Sequence, residues 1–373
     1  MKNLLLLGCM LAWMLGSCTS VKQQEAWKDM YLLVGSYGTP QEEGIKVYQW
    51  NNEKGEATYV SGLTGLSNAS YQVVSADGNR VYSVGEDEGL TSTAHALTFD
   101  KESGKLALMN TLLTNGGAPC YINLSPDEQY VVTANYMGGS LTVFPLEESG
   151  RLAENSRTFP FEGTGPDHTR QEQSHLHCAN FTPDGKFLLA NDLGADKIHV
   201  FPLAEDGRLD DGRAFDVALE AGSGPRHLCF SEDGKFVYLL NELSGKVTAF
   251  KYDGNGLTSI QYIVSDSVGG RGSADVHLSP DGKFLYASNR LKADGIAIFS
   301  VDEVTGLLTK VGYQLTGIHP RNFTMTHDGR FLLVACRESN VIQIYSRDAE
   351  TGLLNDTEKR IETSQPVCLT FVD

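Results

Sequence analysis

Histidine and arginine side chains recur at matching places in an internal repeat of the sequence. The segment Ser174-His-Leu-His177 occupies one copy, and Pro225-Arg-His227 and Pro320-Arg321 occupy the same place in two later copies. Arginine can bind carboxylate or phosphate oxygens with two hydrogen bonds. Histidine can take a proton from water or return one to a leaving oxygen. If the fold brings these segments together, their chemistry suits hydrolysis of an anionic ester or lactone.

The repeat is marked by a four-residue turn of Ser or Thr, a variable residue, Asp and, in most copies, Gly. Such residues suit a tight turn because Asp bonds to nearby backbone and Gly accepts a positive φ. A run with high β-propensity follows nearly every turn, and a Gly-x-Leu turn then predicts a further strand. The turns recur at intervals of 47 to 57 residues, and their aspartates are Asp77, Asp127, Asp184, Asp233, Asp281 and Asp328.

Each repeat therefore predicts four short antiparallel strands, A to D, which is typical of a β-propeller blade. Residues 31–35 resemble a strand B with no strand A before it, and residues 366–371 resemble a strand A with no strand B after it. Together the two ends complete one blade, which removes the exposed sheet edges. We predict an all-β, seven-bladed β-propeller with four antiparallel strands per blade, one domain over residues 31–373, closed by the N- and C-terminal strands.

The blade geometry predicts where the candidate residues meet. The start of strand A and the end of strand B lie opposite the Asp-Gly turns, and strand A lines the central channel. A loop at residues 161–173, longer than its counterparts, overhangs the same mouth. Asp192 could also orient a histidine. The predicted catalytic residues are His175, His177, Glu242, Arg226 and Arg290, and the predicted substrate-binding residues are His227, Arg321, Arg170 and Asp192.

The sequence contains two further groups of residues of types that bind metals. His175 and His177 could be a metal pair on one strand face, but the neighbouring arginines disfavour a cation, so no metal is predicted. Five cysteines follow Cys18 without any CxxC spacing, which predicts neither a zinc site nor a disulfide framework. They are expected to be small buried residues: Cys120, Cys178, Cys229, Cys336 and Cys368.

The first residues predict export and lipidation. Lys2 precedes an apolar run over residues 4–15, and Leu15-Gly-Ser-Cys18 resembles a bacterial lipobox. We therefore predict a signal peptide over residues 1–17, a lipid on Cys18, a tether over residues 18–30, and anchoring to the bacterial cell envelope through that lipid alone. The alternative is an ordinary secretory signal cut nearby. The formal net charge of −17, without a basic run, argues against nucleic acid as a partner.

The motif set as a whole resembles the seven-bladed β-propeller lactonases, the propeller-type 6-phosphogluconolactonases, which are related to a fungal carboxy-muconate lactonising enzyme. The resemblance runs from Tyr31 to the end of the chain. It implies hydrolysis of a sugar lactone to the open aldonic acid without a cofactor. In the related lactonising enzyme a histidine, a glutamate and arginines are implicated, and by motif they correspond to His175 or His177, Glu242, Arg226 and Arg290.

The predicted location bears on the substrate. 6-Phosphogluconolactone is a cytosolic metabolite, so an unphosphorylated or carboxylated lactone fits an exported chain better. We expect a monomer whose partner is a small, anionic sugar lactone. The competing hypothesis is a non-catalytic propeller lipoprotein at the cell envelope that binds a ligand or another protein. It predicts a large exposed aromatic patch in the loops, and few loop aromatics stand out in the sequence.

Overall fold

The structure is a computed structural model that describes residues 30–204 and 207–372. Within these residues the strands form seven four-stranded antiparallel sheets, the blades of a propeller. Blade 1 contains β4 (Gln72–Val74), β5 (Arg80–Gly85), β6 (Thr93–Asp100) and β7 (Lys105–Leu113). Blade 2 contains β8 (Pro119–Leu124), β9 (Tyr130–Asn135), β10 (Ser140–Pro145) and β11 (Arg157–Pro160). Blade 3 contains β12 (Leu176–Phe181), β13 (Phe187–Asp192), β14 (Lys197–Pro202) and β15 (Phe215–Ala218).

The remaining blades follow the same order of strands. Blade 4 contains β16 (Pro225–Phe230), β17 (Phe236–Asn241), β18 (Lys246–Tyr252) and β19 (Leu257–Val264). Blade 5 contains β20 (Val276–Leu278), β21 (Phe284–Asn289), β22 (Gly295–Val301) and β23 (Leu308–Leu315). Blade 6 contains β24 (Pro320–Met325), β25 (Phe331–Cys336), β26 (Val341–Arg347) and β27 (Leu354–Glu362). Short 3₁₀ turns span Gly89–Thr91, Asp211–Arg213 and Arg337–Ser339.

Blade 7 is built from both ends of the chain, as the sequence predicts. It contains β28 (Pro366–Val372), β1 (Met30–Ser36), β2 (Ile45–Asn51) and β3 (Glu56–Leu63), in that order across the sheet. β28 pairs antiparallel with β1, with Tyr31 opposite Val372 and Leu33 opposite Thr370. The seven-bladed, four-stranded architecture is therefore confirmed. The predicted lipidation site at Cys18 lies outside the described residues.

The repeated turn is held by one hydrogen-bond pattern. In blade 1 the Ser75 hydroxyl donates to Asp77 Oδ1 at 2.6 Å and accepts the backbone N–H of Arg80 at 3.0 Å. The same Ser/Thr-to-Asp bond occurs in blades 2 to 6 at 2.5–2.8 Å. In blade 2 the glycine is replaced by Glu128, which adopts a left-handed φ of 54°. The repeat signal in the sequence thus records a turn whose side chains hold the start of strand B.

The outer strands of blades 2 and 3 depart from the sequence prediction. The Gly-x-Leu turns at Gly150-Arg-Leu152 and Gly207-Arg-Leu209 predict a strand that begins directly after each turn. Instead, Leu152 and Leu209 each make a single bridge, to Leu146 and Leu203, and the outer strands begin later as β11 and β15. The Gly-x-Leu turn therefore marks the chain reversal in these blades, and the strand that follows it is displaced along the sequence.

The core lies between neighbouring blades. Trp50 of blade 7, for example, is fully buried in a cluster with Leu333 and Ile344 of blade 6. Because each blade buries its face against the next, the ring is a single packed body around the channel. Within the described part of the chain, no helix is long and apolar enough to cross a membrane.

Candidate active site

A backbone irregularity aims the candidate side chains into the channel. In blade 3, Leu176 pairs with Asp192 and Cys178 with Asn191, so His177 is an extra residue between two paired ones. Arg226 in blade 4 and Arg321 in blade 6 are skipped in the same way. Such a bulge bends the strand and redirects a side chain, and bulges are common beside active sites. The predicted segments therefore meet because three inner strands carry an equivalent bulge.

These residues belong to a ring of side chains near the mouth of the channel, called the upper ring. The next residue of each blade belongs to a second ring below it, called the middle ring. The ring residues follow the internal repeat, seven and six positions before the turn aspartate. Blades 2 and 7 also carry a bulge at the upper position, at Cys120 and Val367. The upper ring is Ser70, Cys120, His177, Arg226, Ala274, Arg321 and Val367, and the middle ring is Tyr71, Tyr121, Cys178, His227, Asp275, Asn322 and Cys368.

Glu242 is the centre of a buried charge cluster at the mouth. Its Oε1 accepts a hydrogen bond from Arg170 Nη2 at 2.6 Å, and its Oε2 accepts one from Arg226 Nε at 2.9 Å. Arg290 Nη2 lies 3.4 Å from Oε2, and His177 Nε2 lies 4.0 Å from it. The structure therefore brings together four predicted catalytic residues and the arginine of the long loop.

The arginines decide the charge state of Glu242. Burial by itself would raise the pKa of this carboxyl group, but Arg290, Arg226 and Arg170 outweigh burial and lower the pKa to about 2. A carboxylate held so firmly is a weak base, since efficient general bases have a pKa near the working pH. Glu242 thus acts as an ionised anchor that fixes three guanidinium groups around one point.

The arginines differ in exposure and in their remaining bonds. Arg226 is 1% exposed, and its Nη1 donates to the Ala274 carbonyl at 2.5 Å. Arg290 Nε donates to the Gly272 carbonyl at 2.7 Å, and burial lowers the pKa of Arg290 to about 9 despite the opposing charge of Glu242. The Arg170 side chain is 35% exposed. Arg170 is therefore the member of the cluster best placed to touch a bound molecule.

His177 is the predicted histidine that joins the cluster. Its Nδ1 lies 3.5 Å from Cys120 Sγ, and the side chain is buried. Burial, together with the charge of Arg226, holds the pKa of His177 well below its usual range. The imidazole is therefore neutral beside a group of cations, and it can accept or donate a hydrogen bond without adding charge.

His175 points to different partners. Its Nδ1 lies 2.9 Å from the Tyr136 carbonyl, its Nε2 lies 3.3 Å from Glu172 Oε1, and its ring stacks on Tyr136 with centroids 4.3 Å apart. Both ring nitrogens are thus engaged outside the Glu242 cluster. The two histidines do not share a coordination point, and no group of three potential ligands among the described His, Cys, Asp and Glu residues could hold a metal ion.

Asp192 lies behind the histidine segment. Its Oδ1 accepts the backbone N–H groups of His175 at 2.8 Å and of Gly194 at 3.0 Å, and its Oδ2 lies 3.2 Å from His199 Nε2. The side chain is fully buried. These contacts fit the positioning role considered for Asp192, and they do not fit its predicted role in substrate binding.

His227 belongs to the floor of the site. Its Nδ1 lies 2.8 Å from Asp275 Oδ1, and burial, with the charge of Arg226, lowers the pKa of His227 to about 4. Asp275 also accepts hydrogen bonds from Asn322 at 2.5 Å and from His277 Nε2 at 3.0 Å. This network joins blades 4, 5 and 6. It makes His227 part of the buried channel lining beneath the predicted substrate mouth.

The middle ring separates two parts of the channel. Tyr71 and Tyr121 pack against each other with ring centroids 4.3 Å apart and contact the His227 ring at their edges. A cavity of about 450 Å³ is lined by these two tyrosines and by residues of the Asp-Gly turns, such as Ser75 and Gly78. That cavity therefore opens toward the opposite end of the channel from Glu242.

A second half of the mouth surrounds Arg321. Arg321 Nη2 lies 3.4 Å from Glu86 Oε2, which also accepts the Tyr37 hydroxyl at 2.9 Å. The guanidinium of Arg321 lies 5.4 Å from the centroid of the Tyr37 ring. Neither Glu86 nor Tyr37 was predicted to belong to the site. A signal existed for Glu86, because it lies nine residues after the turn aspartate of blade 1, the position that Glu242 and Arg290 occupy in blades 4 and 5.

Comparison with known proteins agrees with this architecture. A family model described as "Lactonase, 7-bladed beta-propeller" matches residues 31–371. The chain belongs to the seven-bladed β-propeller lactonase family. A protein named 6-phosphogluconolactonase from Formosa agariphila is 38% identical over 318 residues, which cover 83% of this chain and 90% of that protein.

Solved structures of the family superpose closely. A candidate 6-phosphogluconolactonase from Bacteroides fragilis has a TM-score of 0.88 and 51% identity, over 93% of this chain and 98% of that one. A periplasmic gluconolactonase from Pseudomonas aeruginosa has a TM-score of 0.85 and 34% identity, over 92% of this chain and 99% of that one. Lactonase family members with names that specify phosphorylated and unphosphorylated sugar lactones therefore share this fold.

Proposed function

We propose that this chain hydrolyses a sugar lactone to the open aldonic acid at the Glu242 mouth. The observation that carries the proposal is the group of guanidinium ions fixed around Glu242 beside the neutral His177. Positive charge that is held in place before the reaction stabilises the oxyanion formed when water attacks a carbonyl. The lactonase names of the relatives support the same reaction class.

The arginines have separate parts in this mechanism. Arg170 can contact the lactone because about a third of its side chain is exposed while it stays bonded to Glu242. Arg226 is buried and contacts both Glu242 and the Ala274 carbonyl, which lies just before the inner strand of blade 5. Arg290 combines features of both, because its Nη2 faces Glu242 and its Nε donates a hydrogen bond to the Gly272 carbonyl. The substrate therefore meets Arg170 first, against a rigid background of charge.

His177 orients the attacking water. The neutral imidazole can accept a hydrogen bond from water, which places the water oxygen beside the carbonyl carbon. If His177 kept the proton of the water, it would become an imidazolium, which burial and the charge of Arg226 both disfavour. The proton must therefore end on another acceptor.

For the substrate we propose an unphosphorylated or carboxylated sugar lactone outside the cytoplasm. The excess of positive charge at the mouth favours an anionic molecule, because Arg170, Arg226, Arg290 and Arg321 face only two carboxylates, Glu242 and Glu86, in the contacts described above. The family member from Pseudomonas aeruginosa that is named a periplasmic gluconolactonase supports an extracytoplasmic substrate.

The test compares lactones on the full chain solubilised in detergent. We expect faster ring opening than the uncatalysed rate for glucono-δ-lactone or an aldarolactone, followed as proton release at constant pH, and a lower kcat/KM for 6-phosphoglucono-δ-lactone. A preference for the phosphorylated lactone would overturn the substrate proposal. Uncatalysed rates for all three lactones would overturn the proposal of hydrolysis.

We also propose that the chain is a monomeric lipoprotein of the cell envelope. The support is the lipobox-like segment ending at Cys18. Cells given a fatty acid with a chemical tag should incorporate the tag into the chain, and the Cys18→Ser variant should lose it. Equal labelling of both proteins would contradict lipidation at Cys18. Light scattering during gel filtration should give the mass of one chain after the mass of the detergent is subtracted.

The non-catalytic alternative finds less support. It predicts exposed aromatic side chains grouped in loops. Within the described residues, the large aromatic side chains that are well exposed, Tyr59, Phe215 and Tyr262, lie on the outer strands β3, β15 and β19 of three different blades. They do not form a patch beside the channel mouth.

A further inference from the structure

The mouth contains two carboxylates in different surroundings. Glu242 has both oxygens occupied by arginines, at 2.6 Å on Oε1 and at 2.9 and 3.4 Å on Oε2. Glu86 has one arginine, at 3.4 Å, and one neutral donor, the Tyr37 hydroxyl. The Glu86 side chain is 15% exposed, against 6% for Glu242. Of the two, Glu86 therefore has fewer cationic partners and more contact with the mouth.

The blade positions place the two carboxylates across the channel from each other. Glu86 follows β5 in blade 1, and Glu242 follows β17 in blade 4, which is as far apart as two blades in a ring of seven can be. Arg321, from blade 6, lies beside Glu86 and also interacts electrostatically with Glu242. A molecule in the mouth would thus lie between Glu242, which three arginines contact, and Glu86, which one arginine contacts.

The loop that carries Glu86 packs against the segment that precedes Cys120, because the Ala118 N–H donates to the Asp87 carbonyl at 2.9 Å. The Cys120 thiol lies 3.5 Å from His177 Nδ1. Burial raises the pKa of the same thiol, and the neighbouring charge of Glu86 raises it further. The side chain at position 120 is therefore a common neighbour of the water-orienting histidine and of the second carboxylate.

We infer that Glu86 is the proton acceptor for the attacking water, with Tyr37 as its positioning residue. This inference rests on the proposed lactone hydrolysis. A bond forms between the water oxygen and the carbonyl carbon, and one water proton passes to Glu86. When the tetrahedral intermediate collapses, the ring C–O bond breaks and the leaving oxygen takes that proton as a hydroxyl. The new carboxylic acid releases its proton to solvent, and Glu86 returns to its starting state.

The competing explanation is that Glu86 only neutralises Arg321. The side chains that contact it come from two other blades and are Tyr37 of blade 7 and Arg321 of blade 6. A structural partner of Arg321 would affect substrate binding and stability. A proton acceptor would affect the chemical step, so the separation of kcat from KM distinguishes the two roles.

The experiment uses Glu86→Gln in the full chain, with glucono-δ-lactone as the probe unless the wild type prefers another lactone. We expect kcat to fall by about 100-fold or more with KM changed less than about threefold, because general base catalysis contributes 10²–10⁴-fold. Tyr37→Phe should lower kcat by about threefold to tenfold, since the carboxylate remains while one of its hydrogen bonds is lost. Glu303→Gln removes an exposed carboxylate from the turn between β22 and β23, at the end of blade 5 away from the mouth, and should behave as wild type.

A second variant keeps the inference testable if Glu86→Gln does not fold. In Glu86→Ala the missing carboxylate leaves a space, and added formate should restore part of the lost kcat. A Glu86→Gln enzyme with kcat within threefold of wild type, or a folded Glu86→Ala enzyme that formate does not rescue, would overturn the role of Glu86 and leave lactone hydrolysis standing. A wild type without activity would overturn both proposals.

Discussion

The two halves of the channel mouth use the same residue types for different purposes. Around Glu242 the cations outnumber the carboxylate, both of its oxygens are bonded, and all the side chains except that of Arg170 are almost completely buried. Around Glu86 there is one arginine, one tyrosine hydroxyl and partial exposure. The first half is a rigid charge framework, and the second half contains the carboxylate that we propose as the proton acceptor. The predictions below test this division of labour.

Glu242→Gln should have the largest effect. It removes the negative charge that three arginines share and leaves buried cations without a partner, which typically costs about 3–5 kcal/mol. We expect the free energy of unfolding to fall by about that amount, and lactone hydrolysis to be lost as the arginines separate. Chemical denaturation and ring-opening assays measure the two effects. An unfolding free energy equal to that of wild type and of the control variant Glu303→Gln would contradict the anchor role of Glu242.

Low pH should reduce the free energy of unfolding through His227, which lies in the buried channel lining beneath both halves of the mouth. The pKa of His227 is lowered by burial from an ordinary value of 6.5 to about 4 in the folded chain. Its contribution to stability is therefore complete above pH 6.5 and is lost as the pH falls toward 4, by about 3 kcal/mol for this shift. Denaturation at pH 7 and pH 4 should show a smaller loss of stability for His227→Gln than for wild type. Equal losses would contradict a buried neutral His227.

Replacing each histidine of the Ser174–His177 segment in turn should separate an effect on kcat from an effect on stability. His177→Gln should lower kcat by about 100-fold, within the range of acid-base and positioning groups, with little change in stability. His175→Gln should instead lower stability by about 1–3 kcal/mol, because its ring stacks on Tyr136 and is bonded at both nitrogens. A larger kcat loss for His175→Gln would reverse the assignment.

Arg170→Met should have the smallest of these effects on the fold. The side chain is partly exposed and comes from a loop, and Arg226 and Arg290 still hold Glu242 after its loss. We expect unfolding free energy within about 1 kcal/mol of wild type, and kcat/KM lower by about tenfold to 100-fold through loss of an oxyanion donor. Arg151→Met, another exposed arginine outside the mouth, is the matched control and should not change kcat/KM.

The fold was predictable because its signal is repeated. The Ser/Thr-to-Asp bond that holds each A–B turn recurs in six blades, so one irregular copy, such as Glu128, does not hide the pattern. The unpaired strands at the two ends also predicted the closure of the ring. The displaced strands β11 and β15 were missed because the Gly-x-Leu signal marks a reversal of the chain and says little about where pairing resumes.

The site was predictable in part. The alignment of repeats brought His177, Arg226 and Glu242 to one mouth, and the structure places them together. The choice between His175 and His177 depends on a bulge in strand A, which periodicity does not reveal. Glu86 was overlooked although it aligns with Glu242 in the repeat. The role of Asp275 was not visible because its partners His227 and Asn322 are distant in sequence.

Because β28 pairs with β1, blade 7 of the nascent protein can close only after the C-terminal strand has been synthesised. β1 is among the first strands to leave the ribosome, but its inner neighbour is made after every other strand of the described chain. During synthesis, blade 7 therefore has an open edge, and the channel has a gap beside Arg321 and Asn322, whose blade packs against β28. A chain that loses residues 366–372 should reach the folding stage with all its charged site residues but without a closed ring around them.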